Sequence, residues 1–116
     1  MPCMNVFDMS FAKLYQALVA KAERKGRARS EVDEVTGWLL GYAPEDLAKL
    51  ADSEVTYGSF LSDAPFVNPN ADLIKGTICG VRVETIEDPL TKRMRQLDKL
   101  VDELAKGRPM EKILRT

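Results

Sequence analysis

From Asp88 to Gly107 the chain reads DPLTKRMRQLDKLVDELAKG, and this run constrains the fold more than any other. Leu90, Met94, Leu97, Val101 and Leu104 recur every three or four residues, the spacing of one face of an α-helix, and Leu100 broadens the stripe. Asp88 supplies an N-cap carboxylate, Pro89 fits the first helical position and Gly107 suits the stop. Lys92, Arg93, Arg95, Lys99 and Glu103 read as the solvent face, and Lys99–Glu103 and Asp102–Lys106 as favourable pairs four residues apart. A long helix with one apolar stripe needs other elements to cover that stripe.

The rest of the chain supplies such elements. Ser10 caps a first helix with Phe11, Leu14, Tyr15, Leu18, Val19 and Ala22 at helical spacing, and Gly26 stops it. A second helix is expected from Ser30, with Asp33 three residues on and Val32, Val35, Trp38 and Leu39 inside, ending at Gly41. Gly37, inside it, suits close approach of a neighbouring element. Pro44-Glu45-Asp46 opens a third helix, Thr56 a short fourth one that Pro65 ends, and Pro109 a terminal one. Asn68-Pro69-Asn70 is turn chemistry, with Asn70 a cap for the next element.

Residues 73–86 admit two readings. A helix from about Ala71 to Ile86 would place Ile74, Ile78, Val81 and Thr85 on one face, with Gly76 and Gly80 forming a groove of small residues. A strand suits the β-branched content of 77–86, but only Met4–Phe7 offers it a partner. The expectation is the helix. With 116 residues and one core, the predicted fold is a single all-α domain over 1–116, a compact bundle of five to seven helices. The alternative is mainly α with a two-stranded ribbon from Met4–Phe7 and Thr77–Thr85.

Function is narrowed mostly by exclusion. There is no histidine, which removes His-based acid/base catalysis, Ser-His-Asp and Cys-His systems and His-containing metal sites. Two cysteines, Cys3 and Cys79, make neither a disulfide framework nor a zinc site, so no metal and no cofactor is expected. A net charge of −1 steers the chain toward neither nucleic acid nor membrane. No apolar run nears the roughly 20 residues that span a bilayer. The N-terminus lacks a basic region before its apolar stretch, so a cytoplasmic protein is expected.

Three constellations remain. On a helix, Cys79 and Arg82 would be neighbours, and a guanidinium lowers a thiol's pKa, which suits a thiol-dependent enzyme or redox sensor; on a strand they would point apart. Lys21, Arg24, Lys25, Arg27 and Arg29 form a basic turn, but the helix after it opens with Glu31, Asp33 and Glu34, which phosphate would repel. Nucleic-acid binding is therefore disfavoured. Trp38 and Tyr42 flank the Gly41 turn as candidate pocket residues. Glu84, Glu87 and Asp88 are too few convergent ligands for a cation.

The blocks MSFAKLY, AERKGR, EVDEVTGWLLGY, SFLSDAP, NPNADLIKGTICGVRVETIEDPL and LDKLVDELAKGRPMEKILR resemble the bacterial family known as domain of unknown function 2200. The resemblance spans nearly the whole chain and implies a small single-domain cytoplasmic protein. It carries over no catalytic roles. The reading that results is a non-enzymatic binding or protein-interaction module, with a homodimer through the long C-terminal helix as the expected partner arrangement.

Overall fold

The structure, a computed structural model, describes residues 6–78 and 80–114. Six α-helices make up the body: α1 Phe11–Glu23, α2 Arg29–Leu40, α3 Pro44–Ala51, α4 Tyr57–Ser62, α5 Pro89–Ala105 and α6 Met110–Ile113. The fold is all-α, within the expected number of helices. The start signals work as local chemistry demands. Ser10 Oγ accepts from Lys13 N–H at 3.4 Å, Thr56 Oγ1 from Ser59 N–H at 3.2 Å, and Asp88 Oδ2 from Thr91 N–H at 2.9 Å. Gly26, Gly41 and Gly107 all take positive φ just past their helices.

Two caps differ from expectation. The α2 N-cap is Ala28, not Ser30, because Glu31 reaches back to the Ala28 N–H at 3.1 Å and satisfies a donor that Ala28 has no side chain to help with. In the turn after α4, Asn68 rather than Asn70 is the cap; its Oδ1 accepts from Asn70 N–H at 2.8 Å and opens a short 3-10 turn, Pro69–Leu73.

Residues 73–86 are not the expected helix. Thr77–Ile78 (β1) and Val81–Arg82 (β2) form an antiparallel hairpin in the register Thr77↔Arg82, Ile78↔Val81, followed by a 3-10 turn at Val83–Thr85. The strand needs no distant partner because it folds back on its own continuation. Gly76 and Gly80 take φ of 117° and 80°, conformations open to glycine and incompatible with a helix. Of the expected second ribbon strand, Met4 and Asn5 lie outside the described residues, and Val6–Asp8 is a 3-10 turn.

Helix α5 is the axis of the molecule. It touches α1, α2, α4, α6 and the hairpin, so Leu97, Leu100, Val101 and Leu104 are fully buried. Each such side chain contributes about 1.5–3 kcal/mol by leaving water. Being surrounded also changes its polar side chains. Glu103, expected in solvent, is buried at 3% exposure, with Arg108 4.0 Å away. Gln96 donates to Ala71 O at 3.1 Å, Arg93 to Leu61 O at 2.8 Å and Lys99 to Thr77 O at 3.4 Å. Three polar side chains thus tie connecting segments to the axis. The Asp102–Lys106 pair forms as expected, at 3.0 Å.

Candidate functional site

The apolar stripe of α1 is wider than its core contact. Phe11, Tyr15, Val19 and Ala22 are buried, but Leu14 and Leu18 are only half-buried and face α5 beside exposed Ala17. Across from them α5 presents Met94, Arg95 and Asp98, and Tyr57 at the start of α4 closes the end. These seven side chains line an open recess of about 230 Å³.

Its floor is apolar and its rim carries two polar groups, Tyr57 and Asp98. Tyr57 is buried to 2% exposure, yet its hydroxyl makes no hydrogen bond to any described residue. Burial, then the charge of Asp98, raises the Tyr57 pKa, so the group is a neutral donor at any physiological pH. Among the described residues Asp98 pairs with Arg95, at 3.5 Å in a loose geometry. Burial pushes the Asp98 carboxyl above the usual carboxylate range, against the pull of Arg95 and Lys21. A perturbed carboxyl and a free phenol converging on an apolar recess are the ordinary ingredients of a binding site.

One turn further along the same two helices the groove changes character. Lys21, Arg24, Lys25, Asp102, Ala105 and Lys106 line a second depression. Asp102 bridges the helices, accepting from Lys21 at 3.3 Å and from Lys106 at 3.0 Å. Burial opposes its charge, but these two bonds outweigh burial and hold its carboxyl below the usual range. Arg24 and Lys25 are exposed and have no ion pair among the described residues.

The structure therefore divides the basic cluster read from sequence. Lys21, Arg24 and Lys25 join the groove. Arg27 turns away to Glu31, at 2.6 Å, and to Arg108 O, at 2.9 Å, while Arg29 lies 4.0 Å from Asp33. Trp38 and Tyr42 belong to different surroundings. Tyr42 stacks on Phe60 and donates to Phe60 O at 2.6 Å, and burial pushes its pKa up to about 12. Its outer edge lines a shallow depression with Asp46, Lys49, Leu50 and Pro65. The Trp38 indole N–H is buried without a partner among the described residues. Gly37 lets the chain return close beneath it: a Cβ there would lie 2.7 Å from Tyr42 O.

Cys79 lies outside the described residues. Arg82 sits in β2, its guanidinium largely exposed and 3.1 Å from Glu84. Residues 77–78 and 81–82 are the strands of a hairpin rather than turns of the expected helix. The recess itself was missed in the sequence, although an α1 stripe with more apolar residues than one core face needs is a signal for it.

The fold and its groove define a small helical protein with an open interhelical surface. A family model described as an uncharacterized protein conserved in bacteria, DUF2200, matches residues 5–115, and the chain belongs to that family. A solved structure, the crystal structure of uncharacterized protein SP1917, is similar at 47% identity and a TM-score of 0.92, covering 97% of this chain and 93% of that one. Among curated proteins no match was found. No described helix is long and apolar enough to cross a membrane, and no three described Asp, Glu, Cys or His side chains are grouped to hold a metal ion.

Proposed function

We propose that this chain is a non-enzymatic binding module whose working surface is the groove between α1 and α5. One observation carries the reading: the recess at Leu14, Ala17, Leu18 and Met94 is apolar and open, and Tyr57 at its edge keeps an unused hydroxyl. Leu14 and Leu18 pack against the core on one side and leave the other side open to the recess. At about 230 Å³ the recess is smaller than the 300–1,000 Å³ common for drug-sized ligands. It suits one anchoring side chain or a ring-sized group.

The test uses p-cresol, which combines an apolar ring with a hydroxyl. Titrated to millimolar concentration, it is expected to shift the methyl NMR signals of Leu14, Leu18 and Met94 and the ring signals of Tyr57. Ala17→Phe, at an exposed position, fills the recess and is expected to abolish the shifts while leaving the thermal midpoint within a few degrees. Shifts that scatter over the surface, or that survive Ala17→Phe, overturn the reading.

A further inference from the structure

We infer that the groove receives an acidic segment of a partner protein, one with an apolar anchor at one end and carboxylates about one to two helical turns away. This rests on the binding reading above and names its occupant. The two helices run parallel, since Leu14, Ala17 and Leu18 face Met94, Arg95 and Asp98 while Lys21, Arg24 and Lys25 face Asp102, Ala105 and Lys106. On α1, positions 14, 17, 18, 21 and 25 share one face by helical spacing, and Glu23 falls on the other. The groove is therefore a single strip with an apolar half and a basic half, about 15 Å long at 1.5 Å per residue.

The basic half has more charge than the fold requires. Cations at helix C-termini offset the macrodipole, roughly half a negative charge per helix. Two parallel ends and the Asp102 carboxylate together present about two negative charges. Lys21, Arg24, Lys25 and Lys106 set four positive charges against them, leaving a surplus of about two. Arg24 and Lys25 carry that surplus in solvent.

Length and shape then select the occupant. The strip is open and runs on past the recess into the basic depression, which suits an elongated occupant. Laying one elongated element along a groove, apolar anchors first, is a common mode of peptide recognition. Nucleic acid fits less well. In the apolar half a phosphate would meet only one cation, Arg95, which is already paired with Asp98.

The experiment is fluorescence anisotropy of the whole chain with fluorescein-labelled 15-residue peptides. Each carries a pair of leucines or phenylalanines at one end and four glutamates beyond, in both chain directions. At about 50 mM salt at least one peptide is expected to bind saturably. Its affinity is expected to fall at least tenfold with Arg24→Glu/Lys25→Glu, with Ala17→Glu, and on raising salt to about 300 mM. All three positions are exposed, and circular dichroism checks that the variants fold. A glutamine-for-glutamate peptide that binds equally well overturns the acidic partner while leaving the recess reading intact. So does the absence of any peptide binding when p-cresol still shifts the recess. Duplex DNA binding that ignores Ala17→Glu points to phosphate and overturns the proposal. A sedimenting dimer that excludes every peptide overturns it too, because a second copy then fills the groove.

Discussion

Two tyrosines, each beside an aspartate and each between packed helices, meet opposite fates in this molecule. The Tyr15 hydroxyl donates to Asp33 Oδ1 at 2.6 Å and lies 3.2 Å from Thr36 Oγ1, which itself donates to Val32 O at 2.8 Å. Burial, then the Asp33 bond, raises its pKa, and each of these side-chain oxygens in the α1–α2 seam has a partner. The Tyr57 hydroxyl, on the α1–α4–α5 side, has the same neutral phenol and a nearby carboxylate but no bond to a described residue. A buried polar network that is fully satisfied holds a core together. One left incomplete and open to solvent is available to something else. The difference separates structural polarity from candidate functional polarity within one helix's reach.

The sharpest way to break that division is to remove side chains from each region. Phe60 packs on Phe11, Tyr42 and Tyr57 with ring centroids 4.4, 5.0 and 5.5 Å apart, and is buried to 1%. Phe60→Ala is expected to cost about 3–5 kcal/mol in urea unfolding. Leu18→Ala in the recess is expected to cost at most about 1 kcal/mol, since its far side already faces water. Equal losses would mean the recess is closed in solution.

A smaller effect tests the hydroxyls themselves. Tyr15→Phe leaves Asp33 and Thr36 without their partner inside the core and is expected to cost about 1–3 kcal/mol. Tyr57→Phe removes a group that bonds nothing described, so its unfolding free energy is expected to stay within about 0.5 kcal/mol of the parent. In exchange, Tyr57→Phe is expected to weaken p-cresol binding at the recess. A Tyr57→Phe loss matching that of Tyr15→Phe would show that the open site is structural after all.

Local signals were the legible part of this fold. Ser10, Thr56 and Asp88-Pro89 announce helix starts because capping involves only neighbours three residues apart, and Gly26, Gly41 and Gly107 mark stops through their positive φ. The hairpin at Thr77–Arg82 was half legible: β-branched content favours a strand there, but each strand is only two residues long and its partner lies three to five residues away, so no distant partner points to it. Burial of Glu103 was hidden because α5 is enclosed on more sides than a single apolar stripe suggests. The candidate site was the least legible. Leu14, Tyr57 and Asp98 lie far apart in sequence, and each alone reads as core, cap neighbour or surface charge. The basic turn was visible as a cluster, but only the parallel packing of α1 and α5 shows which of its members share a groove with an apolar half.

The finest test compares two carboxylates one turn apart on α5. Asp98 is raised by burial, whereas Asp102 is lowered because its bonds from Lys106 and Lys21 outweigh burial. Their contributions to stability must therefore run in opposite directions. For Asp102 the contribution is fully present above the ordinary aspartate value of 3.8 and is lost as pH falls through its lower folded value. For Asp98 the charged form costs stability at neutral pH, and that cost is relieved as pH falls through its raised folded value toward 3.8. Carbon-13 NMR of the side-chain carboxyls should show Asp98 titrating first as acid is added and Asp102 last. Asp98→Asn is expected to raise stability at neutral pH and to remove the acid-side relief. Asp102→Asn should lower stability at neutral pH by breaking the bridge between α1 and α5. If Asp102 instead titrates before Asp98, the two halves of the groove do not differ electrostatically, and the contrast between an apolar and a charged half fails with them.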